Sequence, residues 1–147
     1  MRLSTRARYG TRALLDLAVN TKTNSTATLK EIAQRQDISL TYLEHLVGPL
    51  IDAGLIRSIR GSKGGITLAR PAREITIKDI VGVLEGPTAP VECLEHADTC
   101  PRSGACVTQE VWDEVGKAID RVLESKTLED LVERQKSKGA SGEMYYI

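Results

Sequence analysis

The feature that most constrains this chain is the short link between two helical segments. Thr28 opens a capping box with Glu31, and Leu29, Ile32 and Ala33 follow at helical spacing. After Asp37-Ile38-Ser39, Ser39 is placed to N-cap a second helix with Leu43, Leu46, Val47, Leu50 and Ile51 on one face. A link this short makes the two segments a helix-turn-helix over about 28–51. Opposite the apolar stripe stand Thr41, Tyr42, Glu44 and His45, side chains of the kind a recognition helix carries into a major groove. Pro49 removes one backbone hydrogen bond from the last turn and leaves the N-terminal turns intact.

The flanking segments complete this unit. Leu55 to Arg60 and Ile66 to Arg70 are β-branched runs around Gly61-Ser62-Lys63-Gly64-Gly65, which predicts a hairpin wing over about 55–70 with Arg60 and Lys63 at its tip. The glycine-rich turn lacks Walker spacing and no helix follows it, which argues against nucleotide binding. Upstream, a helix from about Ser4 to Val19 buries Ala13, Leu14, Leu17 and Ala18 and carries Arg2, Arg6, Arg8 and Arg12 around its start, and Thr21–Ala27 reads as a loop. Downstream, a capping box from Thr76 to Asp79 starts a helix with Ile77, Ile80, Val81 and Leu84 inward, which Gly86-Pro87 ends.

The longest helical pattern runs from Thr108 to about Ser125, roughly 27 Å at 1.5 Å per residue. Its seam, Val111, Val115, Ala118, Ile119 and Val122, needs a partner: the same helix of a second chain, or the chain's own first helix. Thr127–Gln135 predicts one more short helix. The expected fold is mostly α with a small β-hairpin wing. A winged helix-turn-helix domain spans 1–86, a cysteine loop 87–107, a dimerisation helix and a C-terminal helix 108–136, and a mobile tail 137–147.

Charge divides the chain in the same way. Of 20 basic and 20 acidic residues, residues 1–73 hold 12 and 5, and the remainder hold 8 and 15. A basic first half suits a polyanion, whose condensed counterions are released as phosphates are neutralised. Asp16 interrupts the apolar run Ala13-Leu14-Leu15, so no signal peptide or membrane span is expected, and the location is expected to be cytoplasmic. In a reducing compartment Cys93, Cys100 and Cys106, within 14 residues, serve as metal ligands or reactive thiols rather than disulfides. Zinc, an iron-sulfur cluster and a metal-free thiol sensor all meet these donors. His45 faces solvent or DNA, His96 lies in the loop, and Trp112 is expected to be a packing anchor beside it. No nucleophile-base pair or cofactor loop stands out for an enzyme. A small iron-sulfur carrier is a further alternative, disfavoured by the basic half.

Several segments together resemble the IscR-type family of iron-sulfur cluster-binding winged-helix regulators. They are Met1-Arg2-Leu3-Ser4 with Arg8-Tyr9, Ile38 to Glu44, Arg60-Gly61 with Gly64-Gly65, the three cysteines before Trp112, and Thr127 to Leu131. The resemblance implies a homodimer on double-stranded DNA with a palindromic operator, regulation of iron-sulfur cluster biogenesis genes, and a cluster, 2Fe-2S in that family, on Cys93, Cys100 and Cys106. It implies DNA contacts at Arg2, Ser4, Tyr9, Thr28, Ser39, Thr41, Tyr42, Glu44, Arg60, Gly61 and Lys63. Three departures accompany it. Gln109 stands where the family pattern has a ligand histidine, which leaves Glu110, His96 or Glu143 as the fourth ligand. Arg8 stands where nitric-oxide-sensing relatives have an acidic residue. Cys93 and Cys100 are one residue farther apart than is usual, which leaves 4Fe-4S beside 2Fe-2S.

Overall fold

The computed structural model describes residues 2–21 and 25–144, with side chains to residue 139. Helix α1 (Thr5–Asn20) starts at Ser4, whose hydroxyl accepts from the Ala7 amide at 3.3 Å. Helices α2 (Leu29–Gln36) and α3 (Leu40–Asp52) form the helix-turn-helix. The Thr28–Glu31 capping box is present, and Asp37 takes a left-handed conformation at φ 51° that turns the chain sharply enough for Ser39 to cap α3. Pro49 sits inside α3 without ending it.

The hairpin pairs β1 (Ile56–Ile59) with β2 (Gly65–Leu68), antiparallel, from Ile56 opposite Leu68 to Ile59 opposite Gly65. Ala27, in the loop before α2, bridges the free edge of β2: its amide donates to the Ile66 carbonyl at 3.0 Å, and the Ile66 amide returns a bond at 2.8 Å. Gly65 makes this approach possible. At φ 153° a β-carbon there would lie 2.5 Å from the Ala27 carbonyl oxygen.

Helix α4 (Ile77–Glu85) closes the domain, packing on α1 and α3. A single core joins Leu14 and Leu17 of α1, Ile32 of α2, Leu43, Leu46 and Leu50 of α3, Ile56 and Ile66 of the wing, and Ile80 and Leu84 of α4. Each such side chain contributes roughly 1.5–3 kcal/mol by leaving water. Gly10 lets α1 and α4 approach closely, since a β-carbon there would meet Leu84 at 2.1 Å. The Ser4 amide donates to Glu85 Oε1 at 3.0 Å and its hydroxyl to Glu85 Oε2, so the start of α1 is fixed to the end of α4.

Helix α5 (Val107–Glu124) agrees with the expected long helix to within one residue at each end. It packs on α4; helix α6 (Leu128–Met144) is what lies against α1. The α5 seam is therefore not taken up by the chain's own first helix in the way that one alternative proposed. The expected last helix, ending at Gln135, continues to Met144, so residues 137–144 of the expected tail are helical. Tyr145, Tyr146 and Ile147 lie outside the described residues, as do Lys22 to Asn24 of the expected loop. A short bridge anchors α6: the Ile77 amide donates to the Lys126 carbonyl at 2.8 Å, the Leu128 amide to the Ile75 carbonyl at 2.9 Å, and Leu128 is fully buried.

Asp16 is the buried charged side chain among the described residues, 3% exposed. It accepts from Arg35 Nε at 3.0 Å, from an Arg35 terminal nitrogen at 2.7 Å and from Gln36 Nε2 at 2.8 Å. This ties α1 to the last turn of α2 and raises the Arg35 pKa, chiefly through the hydrogen bond to Asp16. Replacing Asp16 with Ala strands both donors, and the expected loss is about 2–3 kcal/mol, discounted because Arg35 still reaches water. A thermal melt of Asp16→Ala should fall by about 5–10 °C; a melt within a degree of wild type would show that the pair contributes no net stability.

Candidate nucleic-acid interface and cysteine loop

The start of α3 presents a polar face because its apolar residues are spent inward. Leu43, Leu46 and Leu50 are buried, whereas Ser39, Thr41, Glu44 and His45 are exposed. The Ser39 hydroxyl accepts from the Tyr42 amide at 3.3 Å. Tyr42 is half-buried and meets the Tyr9 ring edge-on, with centroids 5.7 Å apart and an interplanar angle of 78°. The Arg12 guanidinium lies 5.4 Å from the Tyr9 centroid and donates to the Gln36 carbonyl and side chain. These rings brace the start of α3 against α1, a packing role beyond the DNA contact expected of Tyr9 and Tyr42 from the sequence.

The wing presents Arg60, Gly61, Ser62 and Lys63, all exposed, beyond the paired strands. Its tip is held: the Thr26 hydroxyl donates to the Lys63 carbonyl at 2.8 Å. Thr28 is exposed beside it and accepts from the Glu31 amide, while the Glu31 carboxylate accepts from the Thr28 amide, the leading cause of a lowered Glu31 pKa. Arg2 is exposed, and Ser4 is engaged by Ala7 and Glu85. The α3 N-terminus and the basic wing tip are both carried by elements that share one core.

The cysteine loop joins α4 to α5 and is held to α5 at its start. The Thr88 hydroxyl donates to Asp120 at 2.5 Å, the leading cause of a lowered Asp120 pKa, and Pro90 sits where a β-carbon on Gly116 would be 3.1 Å away. Lys78 of α4 pairs with Glu124 at 2.5 Å and Asp120 at 3.3 Å. Cys93 lies in the 3-10 turn Glu92–Leu94, Cys100 follows the turn Ala97–Thr99, and Cys106 is the N-cap of α5. All three thiols are free and half-buried.

Among the described residues no three Cys, His, Asp or Glu side chains come together as ligands of one metal ion. The donor chemistry suits a thiolate-bound centre; in the described conformation the three thiols are not gathered for a single ion. Of the expected fourth ligands, His96 and Glu110 are exposed, and the Glu143 side chain lies outside those described. Gln109 turns inward: its Nε2 donates to the Cys93 carbonyl at 3.1 Å and the Ser103 hydroxyl at 3.2 Å, and its Oε1 accepts from the Gly104 amide at 3.2 Å. Cys106 Sγ lies 3.1 Å from the Thr108 hydroxyl, and that contact, then the Gln109 amide, lowers the Cys106 pKa. Beyond the loop, Val107, Val111, Trp112, Val115 and Val122 stand 40–75% exposed on α5. Trp112, expected to be a packing anchor, is 42% exposed and belongs to this open apolar set.

Residues 3–134 match the model of the Rrf2 family, described as iron-dependent transcriptional regulators. The protein rrf2 of Nitratidesulfovibrio vulgaris is 47% identical over 132 residues, 90% of this chain and 87% of that protein. The structure of CymR from B. subtilis, described as its global cysteine regulator, superposes with a TM-score of 0.77 at 41% identity, covering 91% of this chain and 98% of that one. The structure of T. potens IscR gives a TM-score of 0.74 at 38% identity, covering 92% and 88%.

A lowered pKa leaves more Cys106 as thiolate, so it should alkylate with a midpoint below that of an unperturbed thiol. Thr108→Val removes the leading cause and should move that midpoint upward, measured by site-resolved mass spectrometry across pH. Identical midpoints would remove Thr108 from the account.

Proposed function

The chain belongs to the Rrf2 family of transcriptional regulators, and we propose that it reads a palindromic operator as a homodimer and takes its signal through the cysteine loop. It is a regulator and not an enzyme. One observation carries the proposal: the loop bearing all three thiols joins α4, which packs directly on the recognition helix, to α5, whose apolar face is open. A change in that loop bears on both neighbours.

In this reading Ser39, Thr41, Tyr42 and Glu44 meet the major groove. Arg2, Ser4, Tyr9, Thr28, Arg60, Gly61 and Lys63 lie along the backbone. A carboxylate such as Glu44 accepts from cytosine and is repelled by phosphate, which makes it a filter on sequence. The exposed valines of α5 meet those of a second copy, since a seam this apolar is poorly left in water.

The signal in the first reading is an iron-sulfur cluster on Cys93, Cys100 and Cys106, most simply 2Fe-2S, with the cluster biogenesis genes as targets. When bound, such a cluster supplies a redox-responsive and labile group. A second reading, a metal-free thiol sensor, is favoured by the lowered Cys106 pKa and by the likeness to the cysteine regulator CymR. Anaerobic purification with iron and sulfide counts separates the two. Two of each per chain, lost in Cys93→Ala, supports the cluster; neither, with reversible oxidation that changes operator affinity, supports the thiol sensor.

The DNA contacts have their own test on a duplex selected from a random pool. Arg60→Ala should weaken binding to all sequences alike and lower the slope of log affinity against log salt by about one. An unchanged slope would place Arg60 off the phosphates.

A further inference from the structure

Gln109 is half-buried on the first turn of α5, and its side-chain amide is spent entirely inside the cysteine loop. The two N–H groups go to the Cys93 carbonyl and the Ser103 hydroxyl, and the oxygen receives the Gly104 amide. These partners come from two distant parts of the loop. Cys93 belongs to its first turn, whereas Ser103 and Gly104 lie ten and eleven residues later in the turn that leads into Cys106. Only a primary amide offers two donors and an acceptor in one plane at this reach. Among the described residues, the other side-chain hydrogen bonds made by residues 96–106 are local, from Thr99 to the His96 carbonyl and between Cys106 and Thr108.

We propose that Gln109 is the positioning residue of the cysteine loop, a clasp that folds the turns bearing Cys93 and Ser103–Gly104 onto the start of α5. Fastening the Cys93 turn and the Ser103–Gly104 turn to one helical residue limits where each neighbouring thiol can go. Cys106 is placed separately, as the N-cap residue of the same helix, with its thiol 3.1 Å from the Thr108 hydroxyl. Its significance for signalling rests on the sensor role given to the loop under the proposed function; the clasp itself does not.

Arg102 supplies the probe, because it is exposed in the clasped turn and a loop must open to enter a protease. The full chain, freed of metal and kept reduced, is treated with limiting trypsin, and cleavage after Arg102 is followed by mass spectrometry against cleavage after Arg60 in the wing. Gln109→Ala should speed cleavage at Arg102 on the order of tenfold, the effect of losing hydrogen bonds of ordinary net strength, with Arg60 unchanged. Gln109→Glu keeps the acceptor toward Gly104 and loses both donations, so it should behave nearly as Ala does. Wild-type cleavage at Arg102 in both variants overturns the proposal, and so does an equal acceleration at both sites, which would report general loosening. Iron and DNA are absent from the assay, so the clasp can fail while the cluster counts hold, and the reverse.

Discussion

The arrangement of the DNA-reading half depends on one buried carboxylate. Asp16 faces inward from α1, where an unpartnered charge would be costly, and it is stabilised by the donors of Arg35 and Gln36. Those two residues end α2, immediately before the left-handed turn at Asp37. Asp16 therefore sets where α2 stops against α1, and with it the point from which α3 departs. Gln36 also receives Arg12, Arg12 lies over Tyr9, and Tyr9 packs on Tyr42, so the same corner braces the first turn of α3.

Helix α4 is the wall shared by the two halves of the molecule. It packs on α1 and α3 on one side and on α5 on the other. The pairs from Lys78 to Asp120 and Glu124 cross that second boundary and raise the Lys78 pKa, chiefly through Glu124. All three groups are over a third exposed, so solvent screening leaves them little net energy. Closer coupling comes from packing, in Pro90 against Gly116 and in the bridge that buries Leu128.

Sequence reading succeeded where the causes are local. Thr28, Ser39 and Thr76 mark helix starts because a capping side chain bonds an amide two or three residues on, and the hairpin follows from β-branched runs around glycines. The winged helix-turn-helix was legible for the same reason, whereas the regulatory role was legible only through the resemblance to IscR-type regulators. What escaped depends on distant partners. Asp16 looked like an interruption in an apolar run because its partners are 19 and 20 residues away. The polar run after Gln135 gave no signal for a continued helix; its stripe is weak and α6 is placed by packing on α1. Gln109 was readable only as a departure from a ligand pattern, since its hydrogen bonds exist only once the loop is shaped.

The bridge between Ile75-Thr76-Ile77 and Lys126-Thr127-Leu128 sets the rotational phase of α5. With its far end pinned there and its second half held where Gly116 meets Pro90 and Asp120 accepts from Thr88, α5 cannot turn freely about its own axis. At 3.6 residues per turn, a single inserted residue would swing the valine face by about 100° relative to one anchor. The spacing of these anchors along α5 therefore fixes the direction in which its valine face points, and in the proposed dimer it would fix the angle between the two copies.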